Sequence, residues 1–199
     1  MIISYHQNLL YNSFVRKARG NFQMQTKNKS GNRIVRLCIA AMFMALNVVM
    51  SSFSVSVPGG HLYMNDVIIC TAAILLDPFE AFAVGGIGAF LGDLFFYPTP
   101  MFVSLATHGL QAVVISLFAH RVWKKHPALA SGVGVTIGAI IMVVGYSLGR
   151  AFIYSTPEYA MLKLPYQILQ AAVGAVVGML LCWKCGLRRL YNERILKMQ

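Results

Sequence analysis

The residues with chemistry to offer concentrate in one stretch, Gly92 to Gln111, GDLFFYPTPMFVSLATHGLQ. It holds an acid (Asp93), a Tyr-Pro-Thr-Pro turn, and then Ser104, Thr107, His108 and Gln111. Ser104, His108 and Gln111 are spaced four and three apart, so on a helix they share one face. Apolar sequence flanks the stretch on both sides. An ionisable group in an apolar span is costly enough to point to function. The alternative is a polar turn followed by a helix whose interior residues hydrogen-bond to one another. The two readings separate on whether other segments bring polar groups to the same depth.

The chain that positions these groups has 199 residues, 57% hydrophobic and 12% charged, with a mean hydropathy of +0.63. A soluble domain is nearer half apolar and a quarter charged. The composition therefore indicates an all-α integral membrane protein, with room for about six spans of ~20 residues. Ile34 to Phe53 is the first span, with Ala41 and Ala45 placing small residues one turn apart. Such a face lets another helix backbone come close, either inside the bundle or from a partner. Ser54 to Asn65 carries no Lys or Arg and contains Pro58-Gly59-Gly60, which suits a short extended lid. Leu62 to Leu76 is a short second span, with Asn65 and Asp66 placed to cap it. Asp77-Pro78 ends it and starts a third helix running to Tyr97. Met101 to Trp123, Ala128 to Phe152 and Met161 to Trp183 complete a six-helix bundle. The membrane domain is residues 34–185, between basic tails at 1–33 and 186–199.

A net charge of +11 would suit nucleic acid, but its distribution argues against that partner. Fifteen of the seventeen Lys and Arg fall on one side if both termini are cytoplasmic, and only Arg150 and Lys163 fall outside. This is the positive-inside asymmetry of a plasma-membrane protein with an even number of spans, its tails beside anionic lipid. In that orientation, five of six helices carry polar side chains in their outer halves, while the inner halves are apolar or glycine. A channel needs polar groups through the whole thickness, and a lone transporter binds near the midplane in broken helices. The pattern here is a cup open to the outside and closed below. Arg150, His108 and Lys163 suit a carboxylate or phosphate. Gln111, Gln167 and Gln170 offer donors and acceptors to a heterocycle, and Tyr63, Tyr146 and Tyr166 offer flat faces. In the competing arrangement Asp93 or Asp66 pairs internally with Arg150 or His108. The chain has no phosphate-binding loop of its own, so active transport needs another protein to supply the work.

Five features resemble the substrate-binding S components of energy-coupling factor (ECF) vitamin transporters: Ala41-x-x-x-Ala45, the VPGGHLYMNDVI loop, LLDPFEAFAVGGIGAFLGDLF, the HGLQAVVISLF helix and the six-span order. The similarity covers roughly residues 34 to 185. It implies a small-molecule, vitamin-like ligand and a first helix that docks through Ala41 and Ala45 on a transmembrane coupling (T) protein, itself driven by two cytoplasmic ATPases. It implies no enzyme activity, no metal and no cofactor in this subunit, the ATP being used by the partners. Ligand contacts are expected from the loop after the first helix and the outer parts of the later helices, here His61, Tyr63, His108, Gln111, Tyr146, Arg150, Gln167 and Gln170, with Asp93 either binding ligand or pairing internally. The rival readings are a self-sufficient small-solute facilitator and a membrane thiol oxidoreductase using Cys182-x-x-Cys185.

Overall fold

The computed structural model describes residues 33–58, 60–123 and 125–194. The tail readings at 1–32 and 195–199 lie outside the described residues. Five helices are long and apolar enough to cross a membrane: α1 (Arg33–Ser52), α3 (Pro78–Phe96), α4 (Met101–Arg121), α5 (Pro127–Tyr154) and α6 (Pro157–Lys184). A shorter apolar helix, α2 (Asn65–Leu75), follows an antiparallel hairpin of β1 (Ser54–Val57) and β2 (Gly60–Tyr63). A final short helix, α7 (Leu187–Arg194), ends the described chain.

The extended lid expected at Ser54 to Asn65 is present as paired strands, with Ser54 opposite Tyr63 and Val57 opposite Gly60. One expectation is corrected. The second helical segment does not begin at Leu62. Leu62 and Tyr63 belong to β2, and the helix has only 11 residues. At 1.5 Å per residue it is roughly 16 Å long, about half the hydrocarbon core. Its composition explains its place. Ile69, Cys70, Thr71, Ala72, Ala73, Ile74 and Leu75 are all buried, and a helix apolar on every side belongs at the centre of a bundle. The surrounding helices carry large apolar side chains outward, Ile140 58% and Ile168 52% exposed. That outward face is compatible with lipid and costly in water.

Glycines set the helix spacing. On α5, Gly134, Gly138, Gly145 and Gly149 meet Phe118, Ile115, Thr107 and Val103 of α4. On α6, Gly174 lies against Asp66 and Gly178 against Cys70, both on α2. On α3, Gly88 and Gly92 receive Asn47 and Ser51 of α1. Where lipid supplies no hydrophobic drive for helices to associate, such close approach supplies the packing. Asn47 Nδ2 adds a hydrogen bond of 2.7 Å to the Val84 carbonyl, within a π-helical turn at Ala83–Ile87. At the end of the bundle away from the hairpin, Arg36 of α1 holds both Asp77 and Glu80 at the start of α3.

The glycine contacts generate a graded prediction. A Cβ on Gly174 would stand 2.5 Å from Asp66 Cβ, whereas one on Gly132 would sit 3.7 Å from the flexible end of Met179. Overpacking of the first kind costs about 1–3 kcal/mol, or roughly 5 °C in melting temperature for a chain of this size. Gly174→Ala is therefore expected to lower the melting temperature in detergent clearly, and Gly132→Ala to leave it unchanged. Equal melting of the two variants would remove glycine packing as the spacing determinant.

Candidate functional site

The hairpin covers a cavity of about 210 Å³ formed at the meeting of α3, α5 and α6. Its polar wall combines one carboxylate, two cations, two glutamines and several tyrosines. Each element brings its residues there for a local reason. The last turn of α3 supplies Asp93, and the Tyr-Pro-Thr-Pro turn supplies Tyr97 and Pro100. On α5, Tyr146, Arg150 and Tyr154 recur every four residues, and the backbone widens to a π-helical turn over Arg150–Tyr154. An ordinary helix turns in 3.6 residues, so four-residue spacings drift sideways. The wider turn lessens that drift and keeps Tyr154 on the wall, a device common at functional sites. On α6, Lys163, Gln167 and Gln170 share one buried face.

The hydrogen bonds show what each group does. Tyr146 donates to Ser104 Oγ (2.5 Å), and Ser104 donates to Asp93. Asp93 is thus satisfied by a hydroxyl chain, while the competing internal pairing is found in its other form, with Asp66 Oδ1 3.7 Å from His108 Nδ1. Arg150 Nη1 donates to Gln167 Oε1 (3.1 Å), and its guanidinium lies 5.6 Å from the centre of the Tyr154 ring. Gln167 Nε2 reaches the Met142 and Val143 carbonyls at 3.3 Å. Lys163 donates to the His61 carbonyl of β2, and Gln170 Oε1 accepts from the Tyr63 backbone N–H at 3.1 Å. Helix α6 therefore holds the lid by its backbone. Burial pushes the Tyr63 phenol above its ordinary pKa, so it remains a neutral hydroxyl. Two buried polar atoms on the wall, His61 Nδ1 and Tyr154 OH, have no hydrogen-bond partner among the described residues.

Of the expected residues, His61, Tyr63, Asp93, Tyr146, Arg150, Gln167 and Gln170 line this cavity. His108 and Gln111 do not. They lie behind the wall in a buried network around Asp66. His108 Nδ1–H donates to Gln111 Oε1 (2.7 Å), and Gln111 Nε2 donates to Asp66 Oδ1 (3.2 Å). Gln170 Nε2 donates to Asp66 Oδ2 (2.6 Å), and the His108 ring packs edge-on against Tyr146 at 5.1 Å. Asn65 and Asp66 are not caps. Met64 holds the cap position, no side-chain cap bond forms, and Asp66 is fully buried. Tyr166 is absent from the wall, while Tyr97, Tyr154 and Tyr159 are present. The Tyr154 position was signalled by its four-residue interval from Arg150. Tyr97 and Tyr159 had no signal beyond their place beside a turn and at the start of a helix. Cys182 is buried, with its Sγ 3.7 Å from the Thr71 carbonyl of α2, while Cys185 is exposed. Both are free thiols.

The family model for the S component of ECF-type riboflavin transporters matches residues 31–186. The chain belongs to that family. The thiamine precursor transporter HmpT of Lactococcus lactis subsp. cremoris (strain MG1363) is 30% identical over 160 residues, which cover 78% of this chain and 90% of HmpT. An uncharacterised protein of Pyrococcus woesei, described by its place in the gap 3′ region, is 29% identical over 119 residues, covering 60% of this chain and 78% of that one. The S-component family accounts for the multi-pass apolar bundle and for transport rather than catalysis as the setting of the cavity.

Within this S component, Asp66 is the group on which the buried network depends. Removing one partner from a buried charged network costs about 3–5 kcal/mol, because the remaining polar groups stay desolvated. Asp66→Ala is expected to cause a large loss of thermal stability, and Asp66→Asn a smaller one, because its amide oxygen still accepts from Gln111 or Gln170. A melting curve for Asp66→Ala that matches wild type would show that the network contributes nothing to the fold.

Proposed function

We propose that the protein is the substrate-binding S component of an ECF-type ABC transporter for a water-soluble vitamin or vitamin precursor. The observation that carries this reading is the lidded polar cavity at one end of an otherwise apolar bundle, in a chain of this family. The six apolar segments form the bundle with both termini cytoplasmic and the hairpin outside. The cavity then faces the medium, and the opposite end holds packed apolar residues and glycines rather than a polar path. A wall of this kind binds and does not conduct. Inward delivery rests on a transmembrane T protein and two cytoplasmic ATPases, which supply the energy. The family description names riboflavin and the Lactococcus relative a thiamine precursor. Both are heterocycles, and a wall with Tyr63, Tyr97, Tyr146, Tyr154 and Tyr159 suits flat rings.

Docking on the T protein is assigned to the first helix. Ala41 and Ala45 are exposed on α1, while Ala40, just before them, is buried. A small-residue face directed outward admits a second helix at close range.

The test is reconstitution in liposomes. The protein alone should bind a vitamin or precursor, identifiable by mass spectrometry of the purified sample, without net uptake. Addition of the T protein and ATPases should give ATP-dependent uptake. Uptake by the protein alone, indifferent to ATP, would establish a facilitator instead. Ala41→Trp should keep binding within about twofold and abolish coupled uptake, since an indole at that point blocks helix contact. Undiminished uptake by that variant would place docking elsewhere.

A further inference from the structure

We infer that the ligand of this cavity is a small aromatic monoanion, a heterocycle of one or two rings bearing one carboxylate that lies between Arg150 and Lys163. The inference rests on the S-component reading and narrows its substrate class.

Three observations lead there. The first is the state of the two cations. Arg150 is 8% and Lys163 2% exposed, and both line the cavity. The ion pairs among the described residues are those of Arg36, Arg189 and His108, and neither Arg150 nor Lys163 takes part in one. Their protein partners are neutral oxygens, the Gln167 side chain and the His61 carbonyl. A buried cation is ordinarily paired, because desolvation costs more than neutral hydrogen bonds return. Two such cations in one cavity suit an anion, to which each can add a charge-assisted hydrogen bond.

The second observation is convergence. Gly60, at the lid turn, has φ +145°, a conformation that side-chain-bearing residues rarely adopt. A Cβ placed there would lie 3.7 Å from Arg150 Nη2 and 3.9 Å from Lys163 Cδ. The Arg150 guanidinium and the Lys163 stem thus approach the same point under the lid, with Lys163 Nζ at the neighbouring His61 carbonyl. By formal charge, histidine left out, the wall sets Arg150 and Lys163 against Asp93, one net positive charge. Asp93 is engaged by Ser104, which in turn accepts from Tyr146. A single carboxylate brings the wall to neutrality. A neutral ring leaves the excess positive charge in place, and a cation such as a thiazolium increases it.

The third is size. At about 210 Å³ the cavity lies below the ~300–1,000 Å³ common for drug-sized ligands. One or two rings between tyrosine faces fill it. The unpartnered His61 Nδ1 and Tyr154 OH supply hydrogen bonds for ring heteroatoms.

The experiment uses the full chain, purified in mild detergent and washed free of carried-over solute. Calorimetric titration compares acid and neutral members of matched pairs: nicotinate with nicotinamide, and 4-pyridoxate with pyridoxine. Riboflavin and 4-amino-5-hydroxymethyl-2-methylpyrimidine serve as neutral vitamin-class probes. The expected result is that the acid of at least one pair binds tenfold or more tighter than its neutral partner, and tighter than both neutral vitamin-class probes. Arg150→Gln, which retains a donor for Gln167, should erase that preference, and Lys163→Gln should reduce it. Tight binding of riboflavin, the pyrimidine or a neutral pair member, unchanged in both variants, overturns the anion assignment and leaves the transporter reading standing. No binding by any probe to monodisperse protein also overturns it. The coupled uptake assay then decides separately whether the S-component reading falls with it.

Discussion

The structure depends on a carboxylate placed where a carboxylate is expensive. Asp66 is fully buried in the first turn of the shortest helix, among segments that otherwise exclude water. Leaving that charge unpartnered would cost several kcal/mol. The surrounding helices are arranged to prevent it: Gln111 of α4 and Gln170 of α6 donate to its two oxygens, and Gly174 of α6 gives it room. One side chain thereby fixes the approach of three helices. Because α2 is only about 16 Å long at 1.5 Å per residue, the chain between α1 and α2 is left to form the hairpin that closes this end of the bundle. The cavity is the space between that hairpin and the neighbouring helix ends. A full-length second helix starting at Leu62 would fill part of it.

Low dielectric would set the selectivity of such a cavity for a ligand. Interactions between charges that are weak in water become strong where walls of tyrosine and aliphatic carbon exclude it. Polar atoms left without partners become correspondingly costly. A wall with preset donors and unpaired acceptors thus discriminates through what a wrong ligand leaves unsatisfied. This discrimination needs rigid geometry. The π-helical turn at Arg150–Tyr154 and the glycine contacts of α5 on α4 supply it, the first by aiming side chains and the second by fixing the backbone that carries them.

Much of this was legible in the sequence. Hydropathy located the five long helices to within a few residues, because each buries or exposes an apolar face over many turns. Pro58-Gly59-Gly60 and its Val and Tyr neighbours marked the lid. The polar residues that converge at one end were identified by assuming alternate directions for successive helices, and seven of the nine lie on one wall. The misses have a common cause. His108 and Gln111 share a face with Ser104, but periodicity gives the face and not the neighbour across it. Here the neighbour is Asp66, for which the sequence leaves open a helix cap or an internal pair with His108, and the structure makes the pair, at 3.7 Å. Tyr154 follows Arg150 by four residues, but the wide helical turn that keeps it on the wall carries no mark in the sequence. Cys182 and Cys185, a pair by spacing, separate into a core residue and an exposed one because helix α6 ends between a packed face and solvent.

The lid and the floor of the cavity are tied to the same helix. Gln170 donates to Asp66 below and accepts from the Tyr63 backbone above, while Lys163 donates to the His61 carbonyl seven residues earlier on α6. An anion entering the cavity would meet an ammonium with three N–H groups, one of them engaged with the lid, and a guanidinium with five, one of them engaged with Gln167. Neither cation has to release its protein partner to accept a carboxylate. Binding would therefore add bonds across the lid contact without exchanging them, and the hairpin would be held more firmly with ligand than without. A lid latched in this way would suit the proposed role, in which cargo is retained until a coupling protein engages the subunit. It also places the cost of release on whatever pulls β2 away from α6.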